Sequence, residues 1–247
     1  MSRQQWTEID GPHQGQKLET AGAPLATAEA AVVFVHGRGA TARSIIALGD
    51  ELRQHTAEKV RLEGTTLEPS DSPFHTIAFL APQAQRNTWY PNSFLAPVES
   101  NEPGRSSGLR AISDAIYEAN DAGIPTDRVA LVGFSQGACL ASEFVARAPT
   151  RYGGLAALSG GLIGSDIDPD TYTGSLEGTP VFFGCSDVDP HIPLARVHET
   201  TTVFERLDAD VTERIYEGMG HGINEDEAEF VSGMLTELGA GSGGEGR

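Results

Sequence analysis

One pentapeptide constrains this chain more than any other stretch: Gly133-Phe134-Ser135-Gln136-Gly137. The apolar run Val129-Ala130-Leu131-Val132 precedes it and Ala138-Cys139-Leu140-Ala141-Ser142-Glu143-Phe144 follows, so a strand must turn sharply into a helix around one serine. Such a turn forces the serine backbone into a strained conformation, and the flanking glycines remove side chains that would collide with the strand and the helix. The hydroxyl is pushed outward as a result. With 29 glycines among 247 residues, chance matches to Gly-x-Ser-x-Gly are expected. The segment Gly104-Arg105-Ser106-Ser107-Gly108 is a second match, but it follows Pro97 and Pro103 in a polar stretch with no strand before it. Context therefore selects Ser135. The plain alternative is that Ser135 only caps the helix after it.

Around this turn, apolar strand-like runs alternate with helix-like stretches, the pattern of a mainly parallel α/β sheet covered on both faces. Residues 31–35 read as the first clear buried strand, 41–57 as a helix and 76–80 as the next strand. A loop rich in proline and aromatics runs from Ala81 to about Arg105, and a helix from about 107 to 122 leads into the strand before Ser135. Beyond it come strands near 154–158, 180–184 and 211–216, with helices near 193–209 and 224–238. The first 30 residues are expected to supply one or two antiparallel edge strands. No internal repeat or linker divides the chain, so residues 1–238 read as one domain, and Gly239 to Arg247 as a disordered, glycine-rich tail.

Charge narrows the partners. The net charge of -18 comes with only two lysines, Lys17 and Lys59, and such a surface repels nucleic acid and anionic lipid. Adaptation to a high-salt, halophilic cytoplasm is the sharper reading of this charge, because salt screens the self-repulsion; an ordinary acidic cytosolic protein is the blander one. No segment approaches the ~18 uninterrupted apolar residues of a membrane span. The start of the chain lacks the apolar stretch of a signal peptide, which predicts a cytoplasmic location. Cys139 and Cys185 form no Cys-x-x-Cys, which suits a reducing compartment and predicts no metal site. The sequence calls for no cofactor, and it is compatible with a homodimer.

A serine hydroxyl is a weak nucleophile near neutral pH, so chemistry at Ser135 needs a general base and an acid residue to orient that base. On a strand–elbow–helix scaffold of the α/β-hydrolase kind these follow in the order Ser, Asp, His. His221, in Gly218-Met219-Gly220-His221-Gly222, comes just past the strand ending near Tyr216 and is the expected base. His198 falls within a helix, and His191 comes near the site but after the wrong strand for the base. The strand Val181-Phe182-Phe183 runs into Gly184-Cys185-Ser186-Asp187-Val188-Asp189-Pro190 and offers two carboxylates. Asp189 is the expected acid because Pro190 fixes the chain beyond it; Asp187 is the alternative, with turn capping as its other role. The oxyanion of a tetrahedral intermediate needs backbone donors, expected from the N–H of Gln136 at a helix start and of Arg38 in His36-Gly37-Arg38-Gly39. His36 itself is expected to bond loop backbone. Trp89, Tyr90 and Phe94 are candidates to line a substrate pocket, with loop anchoring as their other role.

With these pieces placed, the chain resembles the phospholipase/carboxylesterase family, which includes acyl-protein thioesterases and small bacterial carboxylesterases. The matching segments are His36-Gly37-Arg38-Gly39, Gly133-Phe134-Ser135-Gln136-Gly137, Asp187-Val188-Asp189-Pro190-His191-Ile192-Pro193 and Gly218-Met219-Gly220-His221. The resemblance implies an α/β-hydrolase fold without a large lid, hydrolysis of small-molecule carboxylic esters or thioesters, and a triad of Ser135, Asp189 and His221. Two departures stand out: Arg38 occupies the oxyanion turn where many thioesterase members carry an apolar residue, and Cys185-Ser186 replaces the usual His-Gly.

Overall fold

The computed structural model describes residues 9–62 and 72–241. Seven strands form one sheet: β1 (Leu18–Gly22), β2 (Ala30–Val35), β3 (Ile77–Pro82), β4 (Val129–Phe134), β5 (Gly154–Leu158), β6 (Pro180–Ser186) and β7 (Asp210–Tyr216). Their order across the sheet is β1-β3-β2-β4-β5-β6-β7. Only β1 runs antiparallel, paired with β3, so among the described residues before β2 there is one edge strand. Every other pairing is parallel.

Five α-helices cover the faces: α1 (Ala42–Leu62), α2 (Gly104–Asp121), α3 (Gln136–Arg147), α4 (Leu194–Arg206) and α5 (Glu225–Ala240). Strands sandwiched this way read as continuous apolar runs, because both faces are buried. In β2 every residue is buried. Its alternate side chains split between two cores: Ala31, Val33 and Val35 pack with α2, α3 and α4, while Val32 and Phe34 pack with α1 and α5. This is the α/β-hydrolase arrangement expected from the alternating pattern, and it brings the ends of β2, β4, β6 and β7 to one edge of the sheet.

Helix α1 runs on to Leu62, five residues beyond the sequence reading, and three further boundaries differ from it. Helix α2 begins at Gly104, so the Gly104-Arg105-Ser106-Ser107-Gly108 match is its first turn rather than a loop. Glu102 accepts the Ser106 N–H at 3.0 Å and satisfies an otherwise orphaned helix-start donor, and a side chain at Gly104 would meet the Trp89 carbonyl oxygen at 2.5 Å. Helix α4 stops at Arg206. Helix α5 extends through Gly239 and Ala240, and buried Gly239 accepts from the Thr76 hydroxyl. Gly239 and Ala240, expected in a disordered tail, are helical, and the rest of that expectation, residues 242–247, lies outside the described residues.

Candidate active site

Ser135 joins β4 to α3 with φ 55° and ψ -120°, a strained conformation for a residue with a side chain. The glycine positions around it are dictated by close approach. A Cβ at Gly137 would lie 2.0 Å from the Val35 carbonyl oxygen, and one at Gly133 would lie 2.6 Å from the Gly137 carbonyl oxygen. The elbow can close only where these two side chains are missing.

Ser135 donates its hydroxyl to His221 Nε2 at 3.0 Å. On the other side of the ring, His221 Nδ1 donates to Asp189 Oδ2 at 2.7 Å. The Asp189 side chain has no exposed surface, and its other oxygen accepts from the His191 and Ile192 amides at 2.8 and 3.1 Å. Burial works against its charge, yet the bonds from the His221 ring and these two amides outweigh it and hold the carboxyl below the usual aspartate value. It stays ionised beside the imidazole. The Cys185 thiol also points at Asp189 Oδ2, at 3.9 Å; burial pushes this thiol up to about 12, so it remains neutral there.

Asp187, the alternative acid, does not reach the imidazole. Its carboxylate accepts the Gly218 N–H at 2.8 Å, tying the acid loop to the histidine loop. Ser186 adds a second tie, its hydroxyl oxygen accepting from Gly220 N at 3.1 Å and Val188 N at 3.2 Å. His198 is an exposed residue of α4 that bonds Glu213.

Ser135 and His221 line a cavity of about 540 Å³, with Asp189 buried behind the imidazole. Tyr90, Phe94, Phe134, Cys139 and Ile192 give it apolar walls, and His191 stands at its side with its ring 4.9 Å from that of His221. Burial pushes the Cys139 thiol up to about 12, which removes it as a competing nucleophile. Arg38 and Gln136 also line the cavity, and neither backbone N–H has an acceptor among the described residues.

Trp89 is a correction to the sequence reading. It is fully buried and lies outside the cavity wall. Its indole N–H donates to the His36 carbonyl at 2.8 Å and its backbone N–H to Gln136 Oε1 at 3.0 Å. The aromatic bulk at this position anchors the loop after β3 against the elbow. The Gln136 amide also donates to Tyr90 O at 2.9 Å, and the Arg38 guanidinium holds the carbonyls of Tyr90, Pro91 and Asn92. His36 is structural as expected: Nδ1 donates to Gly37 O and Nε2 accepts from Ala84 N, which leaves the ring neutral.

Sequence reasoning missed several residues that shape the site. The Phe134 ring lies tilted against the His221 ring, with centroids 5.1 Å apart; its place inside the Ser135 pentapeptide was an available signal. Arg196 is buried, donates to the carbonyls of Leu162, Gly164 and Ser165, and lies over the Phe94 ring at 5.8 Å. Nothing in a helical arginine announces such a role.

Residues 19–238 match the family model described as Phospholipase/Carboxylesterase. The chain belongs to the phospholipase/carboxylesterase family. Among solved structures of similar fold, a phospholipase/carboxylesterase from Dyadobacter fermentans shares 37% identity at a TM-score of 0.79, covering 93% of this chain and 100% of that one. The carboxylesterase of Bacillus cereus, at 16% identity and TM-score 0.66 over 91% of this chain and 95% of that one, shares the fold. Acyl-protein thioesterase 1 of Saccharomyces cerevisiae is 25% identical over 226 residues, 87% of this chain and 95% of the relative. Acyl-protein thioesterase 1 of Kluyveromyces lactis is 35% identical over 138 residues, which span 54% of this chain and 60% of that relative. Two departures of this family member from the usual pattern now have structural content: Arg38 braces the cavity loop, and Ser186 braces the histidine loop.

Proposed function

We propose that this chain is a serine carboxylesterase that hydrolyses small-molecule esters of short to medium acyl chain. The observation that carries the reading is one imidazole, His221, which lines a cavity and is bonded to both the Ser135 hydroxyl and the buried Asp189 carboxylate. Ser135 Oγ attacks the ester carbonyl as its proton passes to His221 Nε2. Asp189 orients the ring and stabilises the imidazolium. The backbone N–H groups of Arg38 and Gln136 receive the oxyanion, the second at the positive end of the α3 dipole. His221 then protonates the departing alkoxide, and a water deprotonated by the same ring attacks the acyl-enzyme and releases the acid. No metal or cofactor enters this sequence. Tyr90 and Phe94 contribute acyl-facing apolar area, and the cavity volume suits a short or medium chain.

A thioester substrate is the second reading. It is favoured by relatives named acyl-protein thioesterase and runs through the same acyl-enzyme. Hydrolysis of 4-nitrophenyl esters from acetyl to decanoyl, in high and low potassium chloride and beside Ser135→Ala, tests the proposal. Turnover of short esters that disappears in the variant supports it. Folded protein with no ester turnover at any salt, yet active on acyl-coenzyme A or acyl-thiol substrates, moves the assignment to a thioesterase. Inactivity on both indicates a binding role. A cytoplasmic, high-salt setting for this chemistry rests on the net charge of -18 and on two buried, unpaired cysteines.

A further inference from the structure

The loop that carries His221 is rich in glycine. It reads Gly218-Met219-Gly220-His221-Gly222, with Gly218 at φ 68° and Gly220 at φ 79°. A Cβ at Gly218, Gly220 or Gly222 would meet nothing within 4 Å. These glycines are therefore not forced by crowding; positive φ calls for glycine at Gly218 and Gly220, the three contribute no side-chain packing, and the backbone freedom of glycine makes the segment costly to order. Something else must keep the imidazole within hydrogen-bond distance of two partners at once.

The acid loop supplies that restraint through two residues with no contact to the reacting atoms. The buried Ser186 hydroxyl accepts the Gly220 N–H at 3.1 Å, one residue before His221, and the Val188 N–H at 3.2 Å, one residue before Asp189. One oxygen thus joins the two loops immediately beside both functional side chains. The Asp187 carboxylate accepts the Gly218 N–H at 2.8 Å, and its own N–H continues the sheet by donating to Tyr216 O at 3.1 Å. On the far side, Asn224 begins α5 with a reciprocal capping box to Glu227 and donates to the Met219 sulfur. The loop is clamped at both ends, and the near clamp comes from the segment that carries Asp189.

We propose that Ser186 and Asp187 are positioning residues that fasten the His221 loop to the Asp189 loop, so that base and acid stay in register while Ser135 is acylated and then released by water. The proposal rests on the esterase reading above. It divides the labour of two neighbouring carboxylates. At Asp189 the negative charge matters, because it faces an imidazole that becomes cationic. At Asp187 only an acceptor for an amide N–H is required. A small displacement of a base is costly in rate because proton transfer demands close geometry, whereas the apolar cavity walls that would bind the acyl chain are left intact.

The test is a set of four variants assayed on one 4-nitrophenyl ester turned over by the parent protein: Ser186→Ala, Asp187→Ala, Asp187→Asn and Asp189→Asn. Loss of the buried Ser186 acceptor is expected to lower kcat about tenfold, and loss of the exposed Asp187 acceptor about threefold, with KM changed by less than about twofold. Asp187→Asn keeps an acceptor oxygen and is expected to recover most of the Asp187→Ala loss, while Asp189→Asn loses on the order of a thousandfold or more. Amide hydrogen exchange adds a readout that needs no turnover: Gly218 exchanges faster in Asp187→Ala but not in Asp187→Asn, and Gly220 exchanges faster in Ser186→Ala. Parent-like kcat and exchange in both alanine variants overturn the proposal while leaving the esterase reading intact. Equal losses in Asp187→Asn and Asp187→Ala overturn the acceptor argument. If the parent hydrolyses no ester, the esterase reading fails, and the exchange data still decide whether the clamp exists.

Discussion

Glu227 shows how one residue couples local structure to solution conditions. It is fully buried at the start of α5. One carboxylate oxygen accepts the Asn224 N–H at 2.9 Å, and the other has no partner. Burial is the main cause that raises this carboxyl from its ordinary value to about 7. A raised carboxyl pKa means that the folded state holds its proton more tightly than the unfolded chain does. Its contribution to stability is present below the ordinary value of 4.5 and is lost as pH rises through about 7. Glu227→Gln keeps an oxygen for Asn224 and removes the charge. It should raise stability above pH 7 by about 1 to 3 kcal/mol and change little at pH 4, which denaturant unfolding at the two pH values will measure. The sequence shows an Asn-x-x-Glu start signal for α5; that the glutamate is also buried depends on β6, where a Cβ at Gly184 would sit 2.3 Å from its oxygen.

Helix α3 shows how an element can be legible at one end and hidden at the other. Its first turn was readable from the Ser135 pentapeptide, because the demand for glycine on both sides of a strained serine is local. Glu143, further along, looks like an ordinary surface acid. In the fold it is fully buried and bonds Arg105, Arg147, the Tyr172 hydroxyl and the Ile163 N–H. Arg105 belongs to the pentapeptide rejected as a chance match, so that stretch is structural rather than idle. Glu143→Ala would leave Arg105 buried with only the half-buried Glu102 as an ionic partner. A cost of about 3 to 5 kcal/mol is expected, read as a lowered denaturation midpoint. The loop from Ala81 onward was the least legible element. Its course is set by distant groups, namely the Arg38 guanidinium, the Gln136 amide and the His36 carbonyl, and this is why the sequence leaves Trp89 open between pocket lining and loop anchoring while the fold makes it an anchor.

At the scale of the whole molecule, the net charge is -18, and exposed ion pairs such as Arg53 with Asp50 and Arg206 with Asp170 contribute little against it. Self-repulsion then opposes the compact state at low ionic strength, where screening extends over tens of ångströms. Desalting is expected to lower the melting point and reduce the helical circular dichroism signal, both recovered by potassium chloride. An unchanged spectrum and melting point without salt would remove the high-salt reading. The sequence by itself determined the alternation of buried strands and helices, the elbow at Ser135 and the carboxyl-end placement of Asp189 and His221, because each follows from local pattern and strand polarity. Only the tertiary structure decided which of two aspartates meets the imidazole, since that depends on how loops after β6 and β7 pack side by side. It also decided that Ser186 and Asp187 join those loops and that Trp89 turns inward. Hydrogen bonds between residues 31 to 53 positions apart leave no periodic trace in a sequence; they exist only once the sheet has ordered its strands.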